Sequence, residues 1–279
     1  MKKIVVPTDF SAYANKALVY AIELARKLEA KVALVHACDL LDEQYSGHKA
    51  LIRNYNRERV DELKGQLDAI RSSTLKIERY DIDTRLYEGP IVNSILQAAG
   101  DYGADAIVMG TMGQSGLRRK LLGSKTVGVI NKSTIPVITV PHDYALRELK
   151  NIFIALADLE DKDTLRPLFD ISQAFNAQVH GVIFTEHDAG AEEVMTHTRN
   201  SQLIEQKLKR AFPAIHSDVQ QISGDNLTDA LLRLTVEKDI DLLAMVTHHR
   251  RPLEGFINAS HTQKMSYRST VPLLALHEL

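Results

Sequence analysis

Short runs of apolar, largely β-branched residues alternate along the chain with longer stretches in which apolar residues recur every three or four positions. The runs are KIVVP (Lys3 to Pro7), KVALVHA (Lys31 to Ala37), DAIVMG (Asp105 to Gly110) and PVITVP (Pro136 to Pro141), and each has the length and composition of a buried strand. Strands that alternate with helices form a parallel sheet covered by helices on both faces. The pattern therefore predicts a doubly wound α/β fold.

Three stretches of the first half of the chain predict helices. NKALVYAIELARKL (Asn15 to Leu28) carries apolar residues at helical spacing, and Ser11 is well placed to cap it. The region from Leu41 to Arg71 is rich in Lys, Arg, Glu and Leu and predicts a second, longer helix. IVNSILQAAGDYG (Ile91 to Gly103) predicts a third.

The chain contains an internal repeat. The segment that begins GADAIVMG aligns without a gap with the segment that begins DIDLLAMV, so that Asp105 pairs with Asp241 and Ser133 pairs with Ser269. The front parts agree more loosely, with KIVVPTDFS opposite NIFIALADL and AKVALVHA opposite AQVHGVIF. One β/α unit of about 140 residues therefore occurs twice, which is a typical domain size.

We therefore predict two tandem domains, at residues 1–145 and 150–279. Each is expected to be a five-stranded parallel sheet flanked by helices, a Rossmann-like architecture. The boundary should lie between PVITVP and NIFIAL, near His142 to Leu149.

Composition narrows the classes of function. The chain has 34 basic and 36 acidic residues and a formal net charge of −2, a balance without the positive footprint of a nucleic-acid-binding protein. No apolar run approaches the ~20 residues needed to cross a bilayer, and the start of the chain does not have the pattern of a secretory signal. The single cysteine, Cys38, fits a reducing compartment. We expect a cytoplasmic protein without nucleic-acid or membrane partners.

The most unusual stretch runs from Met109 to Thr126, MGTMGQSGLRRKLLGSKT. Its glycines indicate either a sharp structural turn or a backbone that must approach a ligand closely. Ligands of open parallel sheets bind beyond the carboxyl ends of the strands, and DAIVMG is a strand that runs directly into the glycines. Ser124 then opens a helix whose first amides, at the positive end of the helix dipole, suit a phosphate.

The loop differs from the common phosphate-binding motifs. Arg118 occupies the position where a Walker A loop needs a glycine, and no G-x-G-x-x-G follows the first strand. The spacing is G-x2-G-x9-G-S. Together with VPTDFS, LVHA, the pair Gly89-Pro90, DAIVMGTMGQSGL and GSKTVGVI, this spacing resembles that of the universal stress proteins, specifically the tandem forms with two such domains in one chain.

The resemblance implies a ligand and a role. In that family the glycine motif marks members that bind ATP, here with Mg²⁺ as an optional companion ion, and the role is stress-response or regulatory. Asp9 would lie beside the adenosine, and Ala37 would meet adenine through its backbone. Lys125 departs from the small or apolar residue expected there, so its role stays open. The nucleotide-binding residues implied are Pro7, Thr8, Asp9, Ala37, Met109, Gly110, Gly113, Gly123, Ser124, Lys125 and Thr126.

The resemblance also implies how the two domains meet. Dimers of that family form through the last strands, so PVITVP and PLLALH would make this contact within one chain, and a further homodimer stays open.

The second half has lost the motif, so we expect a single nucleotide site. At constant offset, Gly110, Gly113 and Gly123 correspond to Val246, His249 and Ala259. In the looser alignment of the front parts, Ala37 corresponds to Phe184. Ser260 alone keeps the residue of the motif, opposite Ser124, while Asp158 is matched with Asp9 by allowing a shift of one position.

Several residues have plainer explanations beside functional ones. Asp9 could simply cap the first helix, and the basic run from Arg118 to Lys120 could be a solvated loop or a phosphate screen. The run from His248 to Arg251 could contact an anion, whereas its spacing argues against zinc. His36 is interpreted as a satisfied core histidine and Cys38 as an ordinary buried thiol.

No catalytic set of residues is visible. The chain contains no G-x-S-x-G motif and no paired carboxylates at catalytic spacing. We therefore expect a binding protein rather than an enzyme. The alternatives are an enzyme that hydrolyses ATP or transfers a group from it, and a carrier of another small ligand through the second half.

Overall fold

The computed structural model describes residues 1–42, 48–111, 123–156, 161–247 and 259–278. The elements of the first half are β1 (Lys3–Pro7), α1 (Ala12–Leu28), β2 (Lys31–Cys38), α2 (Lys49–Glu78), β3 (Asp83–Glu88), α3 (Ile91–Tyr102), β4 (Ala106–Gly110), α4 (Ser124–Lys132) and β5 (Val137–Val140). Those of the second half are β6 (Asn151–Leu156), α5 (Lys162–Phe175), β7 (Gln178–Glu186), α6 (Ala191–Ala211), β8 (Ser217–Gly224), α7 (Leu227–Glu237), β9 (Leu242–Thr247), α8 (Ala259–Arg268) and β10 (Leu273–His277). The same alternation of strand and helix thus occurs twice.

The described strands form one ten-stranded sheet in the order β3-β2-β1-β4-β5-β10-β9-β6-β7-β8. Among the described strands, every neighbouring pair is parallel except β5 with β10. Each half is therefore a five-stranded parallel sheet, which confirms the predicted fold class. Because strand order reverses between β1 and β4, a crevice opens there at the carboxyl ends of the strands.

The two halves are joined edge to edge by their last strands. In the antiparallel ladder Leu274 lies opposite Ile138, so the predicted contact between PVITVP and PLLALH is present. The Ser266 hydroxyl donates a hydrogen bond to Thr139 Oγ1 at 2.8 Å, and both side chains are buried. Helices α4 and α8 touch across the same joint. The joint buries the strand edges that two separate sheets would leave unpaired.

Matching aspartates show the repeat at the level of single hydrogen bonds. Asp105 Oδ2 accepts from the backbone N–H of Lys3 at 2.9 Å and from that of the preceding residue. Asp241 Oδ2 accepts from the N–H of Asn151 at 2.9 Å and likewise from that of the residue before it. In both halves, therefore, one carboxylate satisfies the N–H groups at the start of the first strand.

The predicted helices are present, with one change of bounds. Ser11 caps α1, since its hydroxyl accepts from the N–H of Ala14 at 3.2 Å. The second helix was predicted from Leu41 to Arg71 but runs from Lys49 to Glu78. Near its end the side chain of Thr74 is buried, and Arg26 of α1 donates a hydrogen bond to the carbonyl oxygen of Glu78. Composition does not reveal this tertiary contact.

The core lies on both faces of the sheet. Ile4 and Val6 of β1 belong to the larger hydrophobic cluster, whereas Val5 between them belongs to the cluster on the opposite face. This alternation follows from the two-residue period of a strand and explains why β1 is apolar throughout. In the described parts of the chain, no helix is long and apolar enough to cross a membrane.

Candidate functional site

A cavity of about 480 Å³ opens at the carboxyl ends of β1, β2 and β4, where the strand order of the first half reverses. The predicted residues that line it are Pro7, Thr8, Asp9, Ala37, Met109, Gly110, Gly123, Ser124, Lys125 and Thr126. The structure adds Ala14, His36, Ile91 and Ile95. Residues that are far apart in sequence thus meet around one space.

The turn after β1 holds its shape through hydrogen bonds between neighbouring residues. The N–H of Phe10 donates to Thr8 Oγ1 at 2.9 Å, and the N–H of Ser11 donates to Asp9 Oδ1 at 3.1 Å. Phe10 has φ of 64°, in the left-handed region that non-glycine residues enter at a cost of about 1–2 kcal/mol. Asp9 therefore shapes the turn and lines the cavity as well. The cap of α1 is Ser11, so Asp9 does not cap the first helix.

The start of α4 forms the opposite end of the cavity. Gly123 is its N-cap and provides no side-chain hydrogen bond, so the N–H groups of the first turn keep the partial positive charge of a helix start. Thr126 Oγ1 donates to the carbonyl oxygen of Gly110 at 3.1 Å. The hydroxyl proton of Thr126 thus ties α4 to the end of β4. Lys125 is exposed and adds a positive charge beside this turn.

His36 is not a core histidine: it is half-buried and lines the cavity. Its Nδ1 lies 2.7 Å from the carbonyl oxygen of Thr8. Burial lowers the pKa of the imidazole below its usual value of 6.5, and Arg59 lowers it further, against the opposing effects of the Thr8 carbonyl and Asp9. The ring is therefore neutral at pH 7.

An apolar wall completes the cavity. Ile91 and Ile95 lie one turn apart in α3 and line the cavity on one side, while Ala14 of α1 lines it as well. The turn before α3 is formed by Gly89, with φ of 124°, and Pro90. This Gly-Pro pair is the sequence signal that could have indicated the wall, because it sets where α3 begins.

The reactivity of Cys38 and the capacity to bind a metal ion are two further questions that the sequence raises. Cys38 is partly exposed, so its interpretation as a buried residue was wrong. Partial burial, followed by the nearby Glu88 charge, raises the pKa of its thiol. A raised pKa keeps the thiol protonated, which agrees with an ordinary rather than a reactive cysteine. Among the described residues, no group of three or more His, Cys, Asp or Glu side chains is arranged to hold a metal ion.

The second half differs at the matching positions. Val246 in β9, opposite Gly110, is 1% exposed, and Phe184 in β7, opposite Ala37, is half-buried. Both positions therefore carry a larger side chain in the second half than the glycine or alanine of the first half. The residues of interest that lie outside the described parts of the chain are Gly113, the run from Arg118 to Lys120, Asp158, the run from His248 to Arg251, and the side chains of Ala259 and Ser260.

Comparison with known proteins identifies the family. The model of the "Universal stress protein family" matches residues 1–141 and, a second time, residues 150–277. The chain belongs to the universal stress protein family. It is a tandem member, because both halves match.

Individual relatives agree with this assignment. A universal stress protein of Methanocaldococcus jannaschii is 35% identical over 144 residues, which cover 50% of this chain and 81% of that protein. A second one from the same organism is 32% identical over 152 residues, covering 50% of this chain and 94% of the relative. The crystal structure of a universal stress protein from Archaeoglobus fulgidus has a TM-score of 0.73, 20% identity, and coverage of 99% of this chain and 98% of that one. At that identity, the likeness to the structure concerns the fold.

Proposed function

We propose that this tandem universal stress protein binds ATP in the cavity of its first half and acts as a nucleotide-dependent regulator in the stress response. The observation that carries the proposal is the cavity at the point of strand reversal. Every described residue that the family resemblance implies as nucleotide-binding lines that cavity. Ligands of doubly wound folds bind at this position.

The residues that line the cavity suit the phosphates, the ribose and the base of a nucleotide. The first turn of α4, with Ser124 and Lys125, offers N–H groups, a hydroxyl and a positive charge for the phosphates. Ile91 and Ile95 offer an apolar wall for a base. Asp9 follows the end of β1, the central strand of the three, and in this proposal its carboxylate meets the ribose hydroxyls. The volume of about 480 Å³ is that of a small-molecule site.

A route from the cavity to the second half supports a regulatory role. Helix α4 begins at the cavity and ends near the joint, where the carbonyl oxygen of Ile130 lies 2.8 Å from His277 Nε2 of β10. Helix α4 also contacts α8. A ligand that shifts the start of α4 would therefore alter contacts between the two halves.

Calorimetry and mass spectrometry test the proposal. Purified full-length protein is denatured, and the small molecules released are identified by mass; stripped protein is then titrated with ATP, with and without Mg²⁺. We expect an adenine nucleotide in the released fraction and saturable ATP binding. The absence of both would overturn the proposal. Bound ATP that is converted to ADP within minutes would instead favour the alternative of an enzyme.

A further inference from the structure

His36 is held in one orientation at the edge of the cavity formed by β2. Its Nδ1 lies 2.7 Å from the Thr8 carbonyl oxygen, and its ring packs on Phe10 with centroids 4.5 Å apart and planes tilted by 34°. A carbonyl oxygen only accepts hydrogen bonds, so Nδ1 carries the proton and Nε2 presents a lone pair. Nε2 has no hydrogen-bond partner in the described parts of the chain. The lone pair is therefore available to a ligand.

The topology sets which part of a nucleotide meets this lone pair. The phosphate-binding end follows β4, and β2 lies two strands away with β1 between them. Neighbouring strands are about 4.8 Å apart, so His36 lies about 10 Å across the sheet from the end of β4. A nucleotide with its phosphates at α4 and its ribose at Asp9 would extend its base toward β2, where Ala37 also lies.

We propose that His36 is a specificity-determining residue that accepts a hydrogen bond at Nε2 from the 6-amino group of adenine. This inference rests on the proposed function and names a side chain that selects the base. Adenine carries a donor at position 6, whereas hypoxanthine and guanine carry a carbonyl oxygen, which would face the imidazole lone pair without a proton between them. The cavity thereby favours 6-aminopurine over 6-oxopurine nucleotides.

The neutral ring is essential to this selection. Burial and Arg59 of α2 lower the pKa of His36, while Asp9 and the Thr8 carbonyl act in the opposite direction. Protonation would turn Nε2 into a donor, which would face the amine of adenine and suit the oxygen of a 6-oxopurine. Because burial lowers the pKa of His36 below its usual value, the neutral ring predominates at pH 7, and selection for ATP should weaken as the pH falls through the lowered pKa.

A pair of matched substitutions tests the role of His36. The two ligands are ATP, which carries an amino group at position 6 of the purine, and inosine triphosphate, which carries a carbonyl oxygen there. Each is titrated into the wild-type chain, into His36→Leu and into the control variant His180→Leu. His180 of β7 packs on Phe153 with centroids 4.7 Å apart and planes tilted by 32°, a similar ring contact in the second half. We expect His36→Leu to lower the ratio of ATP to inosine triphosphate affinity by about tenfold, and the control to leave it unchanged.

The outcomes separate this inference from the proposed function. Failure of the wild-type chain to bind ATP would overturn the proposed function itself. Normal ATP binding with the same affinity ratio in His36→Leu, or an equal loss of both nucleotides, would overturn the inference and leave the proposed function standing.

A second variant keeps the inference testable if His36→Leu does not fold. His36→Gln keeps a side-chain acceptor but does not titrate. Between about pH 8 and about pH 5, the affinity ratio of the wild type should fall while that of His36→Gln stays level, because only the imidazole changes charge. The phosphates of the nucleotides titrate alike in both proteins, so their effect cancels. Parallel pH profiles would overturn the inference.

Discussion

At the scale of single residues, the two halves of the chain differ in whether a side chain is present at the end of the fourth strand of each half. Gly110 ends β4 and lines the cavity, whereas Val246 takes the matching position in β9 and is buried. The carbonyl oxygen of Gly110 also accepts the hydrogen bond of Thr126, so the backbone there anchors α4 while leaving the cavity open. Glycine allows both, because it has no side chain to occupy the space.

We predict that Gly110→Val abolishes most ATP binding. The branched side chain would enter the cavity between the end of β4 and the first turn of α4, so the dissociation constant should rise by at least about tenfold. Calorimetric titration measures the affinity, and circular dichroism checks that the fold is kept. Gly65→Ala, on the surface of α2, serves as the control with unchanged affinity. An unaltered affinity in folded Gly110→Val would contradict the proposed position of the phosphates.

At the scale of elements, two helical glycines have different surroundings. A Cβ at Gly65 of α2 would meet nothing within 4 Å, whereas a Cβ at Gly128 of α4 would lie 2.9 Å from Cγ2 of Val92 in α3. Valine is stiff in a helix and cannot turn away easily. Gly128 therefore allows α4 to pack closely against α3, next to the residues that line the cavity.

The same substitution should consequently have opposite effects at these two positions. Gly65→Ala should raise the free energy of unfolding by about 0.5–1 kcal/mol, because alanine loses less chain entropy in a helix. Gly128→Ala should lower it by about 1 kcal/mol, because overpacking outweighs that gain. Urea denaturation measures both changes.

A double variant identifies the cause of the loss at Gly128. Adding Val92→Ala removes the methyl groups that the new Cβ would meet. The combined variant should be more stable than the sum of the two single changes predicts. Strict additivity would show that the close packing of α4 on α3 is not what Gly128 provides.

At the scale of the whole molecule, the joint between β5 and β10 turns two repeats into one sheet. The buried hydrogen bond from Ser266 to Thr139 crosses this joint. A buried hydroxyl that loses its partner is destabilising by about 1–3 kcal/mol, whereas replacing both partners with apolar groups is nearly neutral. The pair is therefore a local probe of the contact between the halves.

We expect Ser266→Ala to lower the free energy of unfolding by about 1–3 kcal/mol. Thr139→Val combined with Ser266→Ala should recover most of this loss, since no polar group is then left unpaired. Urea denaturation followed by circular dichroism gives the measurement for both variants. Equal losses in the single and double variants would show that the hydroxyl pair does not matter to the joint.

The two halves also differ in what they can bind, which sets the stoichiometry. The matching region of the second half carries Val246 and Phe184 in place of a glycine and an alanine, so the space for phosphate and base is reduced there. Titration of the full chain should therefore saturate at one ATP per chain. A stoichiometry of two would show that the second half binds nucleotide through other contacts.

Local sequence patterns were sufficient for most elements and for the repeat. The continuous apolar run of β1 and the helical spacing of α1 predicted these elements, because each pattern reflects which faces are buried. The aligned pair Asp105 and Asp241 identified the repeat, and their equivalent hydrogen bonds agree with it. Much of the cavity lining was also predictable, since residues that follow parallel strands meet at one edge of the sheet.

The sequence by itself thus determined the two α/β repeats, the strand ends that meet and the glycines beside them. Only the tertiary structure decided how side chains face one another across elements. The apolar pattern of β2 made His36 look like a core residue, yet Phe10 and the Thr8 carbonyl turn its ring to the cavity. The last turn of α2 likewise contacts α1, where Arg26 donates to the carbonyl oxygen of Glu78. Spacing along a chain encodes which face is buried, whereas the partner of a side chain is fixed by residues that are distant in sequence.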